Sequence, residues 1–138
     1  MKTFLLILSL GFSLFAAEKL GYYTDYDKAV KAALKADKPI MLVQATDSCS
    51  WCKRLESRTL SHPEVKAAVS KGTIPLLLER DSSIYPEKFY TTRVPTIFFI
   101  RPKGEEEYWE VMGFVDSEEM LDNLETALEM YTEKPDLE

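Results

Sequence analysis

Pro39-Ile40-Met41-Leu42-Val43-Gln44 is a short apolar run that leads, five residues later, into Cys49-Ser50-Trp51-Cys52-Lys53. The run has the length and the flanks of a buried strand. Cys49 and Cys52 are the only cysteines of the 138-residue chain, and two intervening residues let their thiols close a small, reversible disulfide. That spacing makes redox chemistry the first hypothesis. A disulfide across so short a loop constrains the unfolded chain little, so a purely structural staple is disfavoured. A zinc site wants four ligands, and only His62 could add a nitrogen donor. Neither a metal nor another cofactor is therefore expected.

Working outward, Cys52-Lys53-Arg54-Leu55-Glu56 reads as helix. Ser61-His62-Pro63-Glu64 opens a second helix, with Ser61 and Glu64 as a capping box, Pro63 in the tolerant first turn and Gly72 suited to a left-handed end. Ile74 to Leu78 reads as a strand with Pro75 at its start, and a short helix is expected around Tyr85 to Tyr90. Thr96-Ile97-Phe98-Phe99-Ile100 is β-branched and aromatic, Arg101-Pro102-Lys103-Gly104 is a turn, and Tyr108 to Met112 supplies the return strand. Glu105-Glu106-Glu107 reads as the solvated hairpin tip. The last helix starts at Asp116, pairs it with Glu119 in a capping box, and buries Met120, Leu121, Leu124, Leu128 and Tyr131. Upstream, Thr24 or Asp25 caps a helix that runs to about Asp37, with Tyr26, Ala29, Val30, Ala33 and Leu34 on its apolar face. Helices alternating with strands in this order imply an α/β fold, a mixed sheet with helices on its faces.

The N-terminus carries a different message. Lys2, an uncharged apolar stretch from Thr3 and the closing pair Ala16-Ala17 read as a secretory signal peptide over residues 1–16. The stretch is short for a membrane span. Residues 17–138 then form one domain that does not cross a membrane. Removing 1–16 takes away one of 17 basic residues and none of 23 acidic ones, which moves the formal charge to about −7. Such an acidic surface gives no reason to expect nucleic acid as a partner.

These residues together resemble the thioredoxin fold, and within it the C-terminal domain of the bacterial membrane thiol reductase DsbD and its small secreted relatives. The resemblance is carried by the strand before Cys49-Ser50-Trp51-Cys52-Lys53, by Ser61-His62-Pro63-Glu64-Val65, by Val94-Pro95-Thr96 ahead of an aromatic strand, and by Gly113-Phe114-Val115-Asp116 before the last helix. It implies a cis peptide bond before Pro95, which would face the cysteine pair. It also implies a periplasmic protein-disulfide reductase kept reduced by a membrane thiol reductase. Three departures stand out. Ser50-Trp51 replaces the Gly-Pro of thioredoxin itself, Ser48 stands where a tryptophan commonly precedes the first cysteine, and Val43 replaces a buried aspartate. Proton transfer at Cys52 lacks its usual carboxylate, and water or Asp47 would have to substitute.

A Cys49 at a helix N-terminus would have its thiolate stabilised by unpaired amides and the helix dipole. Cys49 is then the attacking nucleophile and Cys52, one turn deeper, displaces the captured client. Val94 offers backbone groups to an extended client segment, and Trp51 offers an apolar surface. The expected partners are disulfide-containing or dithiol client proteins. An oxidase or isomerase is the alternative within the same chemistry, and a non-catalytic client-binding module the alternative outside it.

Overall fold

Side chains that alternate across the two central strands decide the layering. The computed structural model describes residues 17–133, so residues 1–16, read above as a signal peptide, lie outside the described residues. Strand β1 (Ile40–Ala45) pairs in parallel with β2 (Ile74–Glu79) and antiparallel with β3 (Thr96–Arg101), which pairs antiparallel with β4 (Glu106–Met112). The four-stranded order is β2-β1-β3-β4. Met41, Val43, Leu77, Ile97 and Phe99 enter one core cluster, whereas Ile40, Leu42, Leu76, Leu78, Phe98 and Ile100 enter the other. Both sheet faces are thus apolar and each needs a helical cover.

Helix α1 (Tyr26–Ala36) covers the second face with Tyr26, Ala29 and Ala33. Asp25 is its cap, accepting the Lys28 N–H at 2.9 Å. Leu34, expected on the apolar face, is 53% exposed. The opposite face is covered by α2 (Ser50–Arg54) with its π-helical continuation Leu55–Leu60, by α3 (Pro63–Gly72) and by α4 (Ser117–Glu133). Residues 17–20 are helical as well and bring Ala17 and Leu20 into the same cluster. No helix among the described residues is long and apolar enough to cross a membrane.

Several local expectations are corrected. The capping box at Ser61 does not form: the π-helical turn runs up to Ser61, whose hydroxyl donates back to the Ser57 carbonyl, so His62 becomes the N-cap of α3 without a side-chain bond. Gly72 is not left-handed; it is the last residue of α3, and a Cβ there would sit 2.6 Å from Leu128 Cδ1. Its bare backbone lets α3 and α4 approach. The acidic stretch is not merely a solvated tip. Glu106 and Glu107 lie in β4 opposite Arg101 and Ile100, and Glu105 Oε1 accepts the Tyr26 hydroxyl at 2.6 Å. The second cap does hold in part, since Asp116 accepts the Glu119 N–H at 2.9 Å.

Pro75 is tolerated because of where its missing N–H would point. Tyr23 N–H donates to the Pro75 carbonyl and Leu77 N–H to the Tyr23 carbonyl, both at 2.9 Å. Residues 75 and 77 therefore bond outward from the β2 edge, and the proline removes nothing from the β1 ladder.

Candidate active site

Cys49 is the N-cap of α2, in extended conformation, and its Sγ accepts the Cys52 N–H at 3.1 Å. The local sequence explains the position. β1 ends at Ala45, the Cys49 N–H closes a turn on the Thr46 carbonyl at 3.2 Å, and the Cys49 carbonyl then accepts the Lys53 N–H as the first helical bond. The two cysteines are joined as a disulfide with Cα atoms 5.2 Å apart. Cys52 is 2% exposed within the core cluster, while Cys49 is only half-buried against it. One sulfur therefore faces the surface and its mate lies beneath it.

The loop before β3 supplies the opposite wall. The Val94–Pro95 peptide bond is cis, and the Val94 carbonyl oxygen lies 3.6 Å from Cys49 Sγ. The Gly113 N–H donates to the Pro95 carbonyl at 2.8 Å, and Thr96 Oγ1 donates to the Arg93 carbonyl at 2.7 Å. Trp51 is 53% exposed and packs its ring 5.7 Å from that of Phe114. Cys49, Cys52, Trp51, Val94 and Pro95, separated by up to 46 positions in sequence, are thus gathered at one end of the sheet.

Two residues that sequence reasoning passed over belong to this neighbourhood. Arg80, at the end of β2, donates through Nη1 to the Thr91 and Thr92 carbonyls at 3.2 and 3.3 Å and pairs with Asp81 at 2.8 Å. It ties down the loop that carries Val94. No motif flags such a residue, because it acts through backbone carbonyls that only the fold brings near. The other is Glu56. Together with Ala45, Thr46, Asp47, Cys52 and Lys53 it lines a cavity of about 10 Å³ under the disulfide, about the volume one water's centre needs. Burial pushes the Glu56 carboxyl above its ordinary value of 4.5, Lys53 opposes that shift and Asp47 adds to it. Its spacing was the available signal: Glu56 stands four residues after Cys52, on the same helical face.

The thioredoxin-like domain family matches residues 26–128. The chain belongs to that family. This thioredoxin-like domain is 29% identical over 119 residues to the thiol:disulfide interchange protein DsbD of Ralstonia nicotianae, covering 81% of the chain and 19% of that protein. It therefore spans about a fifth of the length of this curated relative. Among solved structures, the oxidised C-terminal domain of Neisseria meningitidis DsbD is 25% identical with a TM-score of 0.63, over 77% of this chain and 98% of that one. A thioredoxin from Thermus thermophilus, at 21% identity and a TM-score of 0.66 over 76% of this chain and 85% of that one, shares the fold. The expected architecture, a central mixed sheet flanked by helices, is the one found. Family, cysteine pair and DsbD similarity together support a thiol-disulfide oxidoreductase.

Proposed function

We propose that the domain is an exported protein-disulfide reductase that passes two electrons from the Cys49/Cys52 dithiol to client disulfides. The observation that carries the reading is the unequal placement of the two sulfurs. Cys49 Sγ takes the amide of Cys52 at the head of a helix, while Cys52 is enclosed. An amide donor and the helix dipole favour thiolate over thiol at this position.

In the first exchange the Cys49 thiolate attacks one sulfur of the client disulfide. The Cys49–client bond forms, the client S–S bond breaks, and the other client sulfur leaves as a thiolate that takes a proton from water. In the second, Cys52 loses its proton and attacks Cys49 Sγ, closing the Cys49–Cys52 disulfide and releasing the second client thiolate. The client gains two electrons and two protons. A partner dithiol, which the DsbD likeness suggests is that of a membrane thiol reductase, restores the reduced pair.

Val94 and Pro95 hold the client backbone beside Cys49, where an extended segment adds as a short strand, and Trp51 packs against its apolar side chains. Glu56 takes the Cys52 proton across the small cavity the two share. A carboxylate whose pKa burial has raised is a better base for a thiol than an ordinary one.

The test is capture with Cys52→Ala in the reduced full-length protein. Client proteins should accumulate on Cys49 as mixed disulfides that dithiothreitol releases, and Cys49→Ala should capture none. Clients that associate equally with both variants, without a covalent bond, would make the domain a binding module. Equilibration against glutathione sets the direction: a pair that remains oxidised at the ordinary cytosolic glutathione poise fits a reductase, and one that is reduced there overturns it.

A further inference from the structure

The surface around Cys49 differs in charge from the chain as a whole. The sequence carries a net charge of −6, yet two exposed arginines, Arg54 after the cysteine pair and Arg93 beside Val94, stand on the two segments that meet at the half-buried Cys49, and neither is ion-paired among the described residues. Arg54 lays its guanidinium over the Trp51 ring, with Cζ 4.7 Å from the centroid. Arg93, next to Val94, brings Nη1 to 3.3 Å from Met112 Sδ. Trp51 touches Phe114, and Phe114 and Met112 flank Gly113, which is bonded to the Pro95 carbonyl. These apolar and cationic side chains stand on either side of Gly113 and the Pro95 loop. Trp51 and Met112 are 53% and 50% exposed.

Glu56, two residues beyond Arg54, is half-buried and lines the cavity with Cys52, and it forms no ion pair with Arg54 among the described residues. Asp116 accepts an amide at the start of α4, and Asp47 lines the cavity beneath Cys52. A guanidinium is a planar fork that matches a carboxylate, and stacking on an indole fixes its orientation in advance. A polyanion such as nucleic acid would meet the acidic remainder of the surface, whereas a short acidic segment meets only the two arginines and their apolar neighbours.

We infer that these residues select the clients of the site, a conclusion that rests on the oxidoreductase reading above: the preferred partner is an extended protein segment in which the reacting cysteine is flanked by an apolar residue and an acidic one. Arg54 and Arg93 are its specificity-determining residues. The segment pairs along the backbone at Val94, sets its apolar side chain on Trp51 or Met112, and offers its carboxylate to a guanidinium.

The experiment uses two peptides, each with one internal disulfide, identical except for Glu or Lys on either side of the first cysteine. Each is mixed with the pre-reduced full-length protein under single-turnover conditions, and its rate is divided by its rate with dithiothreitol to remove intrinsic reactivity. The Glu peptide should react about tenfold faster at low ionic strength, from two exposed charge contacts that change sign. The preference should shrink towards unity in 0.5 M salt as the charges are screened. In the R54E/R93E double variant it should invert. The ratio is read within one preparation, so a partly folded variant does not bias it. Equal rates for both peptides overturn the selection while leaving the oxidoreductase standing. Rates no better than dithiothreitol for either peptide overturn the oxidoreductase and the selection together.

Discussion

Replacing Glu56 by Gln keeps the shape of the side chain and removes its ability to take a proton. Cys52 is 2% exposed, so its proton has no open path to bulk solvent, and the cavity it shares with Glu56 is only about 10 Å³. Loss of a positioned base slows a proton-coupled step by roughly 10² to 10⁴. Asp47 lines the same cavity and can take over part of the role, which places the expected loss near the lower end, about 10², or about 2.7 kcal/mol of barrier. The assay is rapid quench of the reduced protein with a disulfide peptide, with alkylation of free thiols and separation of the mixed disulfide. Formation of the Cys49–peptide bond should change less than about threefold, since the helix amide that favours the Cys49 thiolate is untouched. The second exchange should slow so that the mixed disulfide accumulates. In the wild type its rate should rise with pH through the raised pKa of Glu56 and then level off. In E56Q that rise and plateau should be lost. An unchanged second exchange, or an unchanged profile, refutes the assignment. If D47N gives the effect and E56Q does not, the base is Asp47.

The same carboxyl makes a stability prediction whose sign is fixed. A folded-state pKa raised above the unfolded value contributes stability that is present below pH 4.5 and lost as pH rises through the folded pKa. E56Q should therefore gain stability relative to wild type between acid and neutral pH in urea titrations, and a relative loss there would contradict burial as the dominant cause. Arg80→Met removes the donors to the Thr91 and Thr92 carbonyls; with about 1 kcal/mol lost at this half-buried site, KM for a peptide disulfide should rise about fivefold with kcat within twofold. A kcat loss alone would show that the loop acts on chemistry rather than on docking. Thr59→Val preserves volume while deleting the bond from a fully buried hydroxyl to the Val115 carbonyl, 2.6 Å long. The orphaned carbonyl should cost about 2 kcal/mol and lower Tm by roughly 6–12 °C, and a shift under about 1 °C would mean the carbonyl finds another donor.

Most of the fold was legible because its signals are local. Apolar runs at Ile40 and Thr96, Asp25 and Asp116 as caps, and the Pro102-Lys103-Gly104 turn each state their own structure. The misreadings arose where one local signal met a neighbour. Ser61 and Glu64 have the spacing of a capping box, but a π-helical turn ends on Ser61 and its hydroxyl is already spent on the Ser57 carbonyl. Gly72 looks like a left-handed terminus, and only the position of Leu128 on α4 reveals that it is a close approach. At the hairpin, register shifts between Phe99 and Ile100, where Trp109 and Glu107 are their partners and Tyr108 is the extra residue. That shift lets two consecutive aromatics reach α4, Tyr108 through the Ala127 carbonyl and Trp109 through Asn123 Oδ1. Simple alternation would have put them on opposite faces.

The geometry of the candidate site, with the paired sulfurs beside Val94-Pro95, was legible in the sequence, but the placement of Glu56 and Arg80 beside it was not, and Val43 shows why. It is 1% exposed, in register with Leu77 on one side and Ile97 on the other, in the same apolar cluster as Cys52. A carboxylate there would have to ionise among aliphatic side chains, at the cost of several kcal/mol of desolvation. With valine in the sheet, the core stays apolar. The acid then has to come from an element with one face on the core and one in solvent. The π-helical continuation of α2 is that element, and four residues beyond Cys52 is the position that returns to the same face. There Glu56 is half-buried beside Lys53, which holds down part of the pKa rise that burial causes. The proposed base is consequently closer to water than an acid at position 43 would be. Val43→Asp should therefore destabilise the reduced protein at neutral pH and yet partly restore the second exchange in the E56Q background, as measured by urea unfolding and rapid quench on the same samples. Restoration without destabilisation would mean that position 43 is wetter than its packing implies.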